Sequence, residues 1–169
     1  ITDLAQVTLG NYVNLLHNDK DGNYVIQMDD DYIDPTRIFN EDKIRSTLFQ
    51  GELYPYQNQG VKWLISSSDS NTGVILGDEM GLGKTIQIIY LFCHEKQRSR
   101  GPNLVICPST LIENWYRELQ KFAPSLEVHR QRDWNRTGSA ITLRSFDVIL
   151  VSYETAINDE VLLQNVNGI

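Results

Sequence analysis

Gly77-Asp78-Glu79-Met80-Gly81-Leu82-Gly83-Lys84-Thr85 is the stretch whose reading decides the fold. It follows an apolar run, Gly73-Val74-Ile75-Leu76, and precedes another, Ile86 to Cys93. Strand, glycine-rich turn, Lys-Thr, helix is the order a phosphate cradle needs. Gly81 and Gly83 let the backbone curl so that its N–H groups face inward, where a Cβ would obstruct the curl or the phosphate. A helix beginning near Lys84 turns its unpaired N–H groups and positive dipole end toward the anion. In such a loop Lys84 reaches the β- and γ-phosphates and the Thr85 hydroxyl ligates Mg²⁺. The general pattern calls for glycine five residues before Gly83, where this chain has Asp78. What stands is Gly-x-Gly-Lys-Thr in a strand-to-helix setting.

Outward from the loop, strands alternate with helices. The cradle helix is expected from Lys84 to about Arg98, with Ile86, Ile89, Tyr90 and Cys93 as its buried stripe and Ile88, Leu91 and Phe92 widening it. Asn103–Cys107 is a short apolar strand stopped by Pro108. Ser109 or Thr110 then caps a helix whose inner face is Leu111, Trp115, Leu119 and Phe122, and Pro124 closes it. Leu126–His129 and Asp147–Val151 are further strands, and a helix is expected from Thr155 to about Gln164. Such alternation predicts a parallel sheet covered by helices on both faces, with ligands at the carboxyl ends of the strands. The cradle, Pro108-Ser109 and Ser152-Tyr153-Glu154 all fall at those ends.

Upstream, Tyr56, Gly60, Trp63 and Leu64 share one face of a helix, and Gln57 stands beside that face. A glutamine amide offers one donor and one acceptor side by side, the complement of the N6/N7 edge of adenine. Ser66 to Thr72 is polar and reads as a loop. Residues 1–50 form a separate acidic segment, with nine acids against four bases. Tyr12–Leu16 and Tyr24–Met28 flank a run of turn formers, which predicts a β-hairpin. Asp29 to Pro35 reads as a charged linker, and Asn40 caps a short helix through Leu48.

The chain has 169 residues, 41% of them hydrophobic, and a net charge of −7. That composition is globular. Residues 51–169 carry no dense basic block, so composition by itself gives no sign of nucleic-acid binding. No run of sequence is apolar enough to span a bilayer, and the chain reads as soluble and intracellular. Cys93 and Cys107 lack metal-like spacing and read as two buried thiols. Arg130-Gln131-Arg132-Asp133-Trp134-Asn135-Arg136 reads as a surface helix with a buried tryptophan; an aromatic among arginines touching nucleic acid is the other reading.

Residues 53–154 resemble the first RecA-like lobe of the Swi/Snf family of DNA-translocating and chromatin-remodelling ATPases, within the second superfamily of helicases. Asp78 to Thr85 is similar to that family's motif I, which also carries aspartate where the general pattern has glycine. Leu53 to Leu64 resembles its nucleotide-proximal helix, with Gln57 in the adenine-reading place. Val105 to Trp115 is similar to motif Ia, and Ser152-Tyr153-Glu154 to motif Ib. The resemblance implies ATP and Mg²⁺ on Gln57, Asp78, Glu79, Met80, Gly81, Leu82, Gly83, Lys84 and Thr85. It implies double-stranded DNA, bare or within nucleosomes, gripped by its phosphates at Pro108, Ser109, Ser152 and Tyr153. It implies a nuclear protein, or a bacterial cytoplasmic one.

One departure matters. The family's next motif is an apolar strand ending in Asp-Glu-x-His, which binds Mg²⁺ and positions the attacking water. No such tetrad occurs in this chain. The second RecA-like lobe with its arginine finger is absent as well. The expectation is therefore part of one motor lobe, residues 51–169, without turnover by itself. The alternative is a nucleotide-binding or scaffolding module that regulates a partner without chemistry. A small-molecule kinase fits poorly, because it needs no motif Ia and calls for glycine at position 78.

Overall fold

The computed structural model describes residues 14–18 and 24–27 as backbone and residues 46–70 and 73–166 in full. Strands β1 (Asn14–Asn18) and β2 (Tyr24–Gln27) pair antiparallel, Asn14 opposite Gln27 and Leu15 opposite Ile26. That is the hairpin read from the turn formers. The charged linker lies outside the described residues, as does the helix expected from Asn40, except that Ser46 to Leu48 are not helical.

Helix α1 (Pro55–Asp69) starts on proline, which lacks the N–H that a first turn cannot use. It runs past the point where a loop was expected, because its serines bond back into it. Ser67 Oγ donates to the Trp63 carbonyl at 2.9 Å and Ser70 Oγ to that of Ser66 at 2.9 Å. Ser68 donates to Glu95 at 3.1 Å, fastening the last turn to the next helix. The inner face is Gln57, Gly60, Val61, Leu64 and Ser67. This is rotated by about one residue from the expected face, so that Tyr56 is exposed and Gln57 is buried.

Helix α2 (Lys84–Gln97) buries Gln87, Ile89, Tyr90, Phe92, Cys93 and Glu95, much as its apolar pattern required. The strand expected before the loop is not formed. Residues 73–79 carry no strand pairing, and Ile75 is 90% exposed. A strand is held by the ladder of a neighbour, and among the described residues none lies alongside this run.

The sheet itself has β5 (Val148–Ser152) at its centre, between β3 (Asn103–Cys107) and β4 (Val128–Arg130), all parallel. Its two faces are buried by different helices. Val148 and Leu150 join Val105, Cys107, Ile89, Phe92 and Cys93 in one core, which α3 (Ile112–Phe122) completes with Ile112 and Leu119. Ile149 faces the other way, against Leu143 of α4 (Ala140–Leu143) and against Leu163 and Val166. Helices therefore cover both faces, as the alternation predicted.

Local departures have local causes. A 3₁₀ turn, Ser109–Leu111, precedes α3, closed by the Leu111 N–H on the Pro108 carbonyl at 2.8 Å. Its tighter winding turns Leu111 outward, 41% exposed, and puts Ile112 in the core instead. Neither Ser109 nor Thr110 caps the helix with its side chain. The expected helix after β5 is broken into α5 (Tyr153–Asn158) and α6 (Glu160–Gln164). Asp159 stands at the break, its carboxylate accepting from Arg136 Nε at 3.1 Å and Gln131 Nε2 at 2.8 Å. Trp134 sits on a 3₁₀ turn, Asp133–Asn135, and is 94% exposed, so the reading of a buried tryptophan is overturned. The neighbouring arginines hold the turn from outside: Arg132 pairs with Asp133 at 2.8 Å, and Arg136 with Asp159.

Candidate nucleotide site

The loop between residues 77 and 84 takes the curl its glycines permit. Gly81 has φ +88° and Gly83 φ +77°, both left-handed. Gly83 immediately precedes α2, and no side chain caps that helix. Its first-turn N–H groups are thus left to whatever occupies the loop. A helix start without a side-chain cap, two left-handed glycines and one ammonium group are the donor set a polyphosphate requires.

That ammonium is held within the loop. Lys84 Nζ donates to the carbonyl oxygens of Asp78 at 2.6 Å and Glu79 at 2.8 Å. The Leu82 N–H reaches the Glu79 carbonyl at 3.4 Å. On the other side Gln57 packs against the turn, its Nε2 donating to the Leu82 carbonyl at 3.1 Å and, at 3.4 Å, to the Tyr56 hydroxyl. Gln57 Oε1 accepts from the Tyr54 N–H at 3.0 Å. A Cβ on Gly83 would lie 2.4 Å from Gln57 Nε2, so a side chain here would have to displace the Gln57 amide as well as adopt a left-handed φ. Gln57, read from the sequence as an adenine contact, touches the loop, and both ends of its amide are engaged by neighbours.

Sequence reasoning passed over Gln87. It is wholly buried, and its Nε2 donates to Asp78 Oδ2 at 3.1 Å. The available signal was an amide on the inner side of an otherwise apolar helix, three residues after the lysine. Met80 and Glu79 are exposed on the outer side of the loop, and Thr85 is half-buried in the first turn of α2.

The residues read as DNA contacts form a second group. The parallel register sets Cys107 opposite Ser152, so Pro108-Ser109 and Tyr153 leave the sheet side by side. Ser109 and Tyr153 are exposed. The Ser152 hydroxyl is occupied as the cap of α5, accepting from the Thr155 N–H at 3.1 Å and donating to Thr155 Oγ1 at 3.0 Å.

Behind the loop the titratable groups are insulated. Burial pushes the Cys93 thiol up to about 12, with Lys96 opposing and Asp147 reinforcing the shift. The Tyr90 phenol is also raised to about 12, again chiefly by burial. Cys107 is raised for the same reason, and both cysteines are free and buried. Among the described residues no group of three or more His, Cys, Asp or Glu is placed to hold a metal, and no helix is long and apolar enough to cross a membrane.

Residues 56–169 match the SNF2-related domain. The putative ATP-dependent helicase/translocase YwqA of Bacillus subtilis is 43% identical over 113 residues, which is 64% of this chain and 12% of YwqA. The chromatin structure-remodeling complex subunit snf21 of Schizosaccharomyces pombe is 41% identical over 130 residues, 73% of this chain and 11% of snf21. Among solved structures, the Sulfolobus solfataricus SWI2/SNF2 ATPase core in complex with dsDNA superposes with a TM-score of 0.63 at 34% identity. That match covers 70% of this chain and 25% of the core. The chain thus spans about a tenth of the length of these relatives and a quarter of that core.

Proposed function

We propose, on the premise that this chain belongs to the SNF2-related domain family, that it is the nucleotide-binding part of a motor that hydrolyses ATP to ADP and phosphate while moving along double-stranded DNA. The observation that carries the reading is the loop: left-handed Gly81 and Gly83, a helix start without a side-chain cap, and Lys84 at its centre. Lys84 would exchange the carbonyls of Asp78 and Glu79 for β- and γ-phosphate oxygens, and the first-turn N–H groups would take the remaining negative charge. Thr85 would offer its hydroxyl to Mg²⁺, which would supply charge neutralisation at the phosphates. Gln57 would read the adenine edge by trading its bond to the Tyr54 N–H for one from the base.

For DNA, exposed Ser109 and Tyr153 and the backbone around Pro108 and Ser152 would hold phosphates without reading sequence. Neutral donors of this kind suit a surface with no basic block. The solved SWI2/SNF2 core was captured with double-stranded DNA, and snf21 is named as a chromatin-remodelling subunit, which supports nucleosomes as the substrate and the nucleus as the compartment. YwqA, a Bacillus protein, supports bacterial cytoplasm instead. Because the Asp-Glu-x-His tetrad is missing from this sequence, we assign turnover to the intact protein and none to residues 1–169 alone. The test is phosphate release by the intact protein with and without double-stranded DNA. Stimulation by DNA that disappears in Lys84→Ala supports the motor. Nucleotide binding without any turnover, with or without DNA, selects the regulatory module instead.

A further inference from the structure

We propose that Gln87 is a positioning residue of this nucleotide site, keeping the Asp78 carboxylate turned away from the phosphates. The proposal rests on reading the loop as a nucleotide cradle. Asp78 presents a difficulty for any such loop: it sets a negative charge where phosphate must come, at a position that tolerates glycine elsewhere. The structure answers it from behind. Gln87 lies in the first turn of α2, where its N–H bonds the Gly83 carbonyl at 3.3 Å and its side chain reaches back to Asp78 Oδ2 at 3.1 Å. One residue thus ties the end of the loop to its beginning.

Asp78 is held at two points, its carbonyl by Lys84 and its carboxylate by Gln87. When phosphate draws Lys84 away, the Gln87 amide is the tie that remains. For packing alone glutamine is a poor choice. It is fully buried, and its Oε1 has no hydrogen-bond partner among the described residues. A leucine of similar size would fill the space without leaving a buried oxygen unpaired. The side chain contributes through Asp78 rather than through the core.

The experiment uses the intact protein, a fluorescent ATP analogue with Mg²⁺, and DNA-stimulated phosphate release. Gln87→Leu should weaken nucleotide binding and raise KM about ten-fold, the scale of losing a hydrogen bond to a charged group. It should leave kcat at saturation within about two-fold and the thermal midpoint no lower. Asp78→Asn keeps the acceptor and removes the charge, and its own affinity, whatever its value, is the reference for the second background. Adding Gln87→Leu to it should then cost little. Gln87→Glu, equal in shape, sets two carboxylates together and should bind more weakly still, again relieved by Asp78→Asn. A Gln87→Leu defect of the same size in both backgrounds means packing, and overturns the proposal. So does normal affinity in Gln87→Leu when Lys84→Ala has lost it. If Lys84→Ala also binds normally, the cradle reading fails with it.

Discussion

Lys84 Nζ lies 2.6 Å from the carbonyl oxygen of Asp78, so the cation that defines the loop also closes it on itself. With the Glu79 carbonyl at 2.8 Å, two of its three hydrogens point into the loop's own main chain. A phosphate therefore arrives by exchange: charged oxygens replace neutral carbonyls, a trade that favours the anion because charge-assisted bonds are the stronger.

Removing the ammonium should therefore be felt in chemistry and not in DNA affinity. Lys84→Ala in the intact protein is expected to lower DNA-stimulated phosphate release at least about 100-fold, the scale of losing one preorganised charge at a reacting group. DNA binding by gel shift or anisotropy should stay within about two-fold, since the residues assigned to phosphate grip leave the sheet elsewhere, after Cys107 and Ser152. Equal loss of both would mean that the lysine holds the lobe together instead.

The glycines of the loop separate space from backbone conformation. Gly83→Ala meets both obstacles, φ +77° and Gln57 Nε2 at 2.4 Å, and should cost about 2 kcal/mol of folding stability. Gly81→Ala meets only the left-handed φ of +88°, with open space around the new methyl, and should cost about 1 kcal/mol. Gly77→Ala has open space and no left-handed φ, so a change within about 0.5 kcal/mol is expected. Urea titration of the three variants checks the ranking, and a Gly77→Ala as damaging as Gly83→Ala contradicts this loop conformation.

Cys93 makes a prediction on the alkaline side. Its thiol is raised to about 12 by burial, so the folded state keeps the proton longer than the unfolded chain does. That stability is fully present below the unfolded value near 8.5 and is lost as pH climbs toward 12. Native protein at pH 8 should leave Ellman's reagent nearly uncoloured for minutes, while denatured protein releases two equivalents, one each from Cys93 and Cys107. Cys93→Ala should flatten the fall in stability above about pH 9; an unchanged alkaline limb would place the titrating group elsewhere.

Periodicity and punctuation made most of this fold legible in the sequence. Pro108 and Pro124 bracket α3, and the unbroken apolar run Val148–Val151 announces a strand buried on both faces. The glycine-lysine turn announces the site. What was not legible depends on partners rather than on local pattern. Gly73–Leu76 has the composition of a strand, but composition supplies no ladder. The face of α1 turns by about one residue because Gln57 is drawn in by the loop, a contact 25 residues away in sequence. Trp134 is large and apolar, yet Arg132 and Arg136 find acids nearby and leave the turn, with its indole, on the outside. Asp159 breaks a helix that propensity would have continued, because distant Gln131 and Arg136 claim its carboxylate.

That last cluster fixes the acid limb of stability. The Arg136 guanidinium holds the Asp159 carboxyl below the usual carboxylate range, helped by Gln131, while burial acts in the opposite direction. A depressed acid contributes stability that is present above the unfolded value near 3.9 and is lost as pH falls through the folded one. Denaturation midpoints should therefore hold steady from pH 7 to about pH 5 and fall below about pH 4. Asp159→Asn removes the titrating group and should lower stability at pH 7 while making the acid limb shallower. Arg136→Gln should act in the same direction, returning the carboxyl toward its ordinary value. Because Asp159 also separates α5 from α6, amide hydrogen exchange in residues 153–164 should quicken in both variants while β5 stays protected. An acid limb as steep in Asp159→Asn as in the parent would show that another carboxylate governs it.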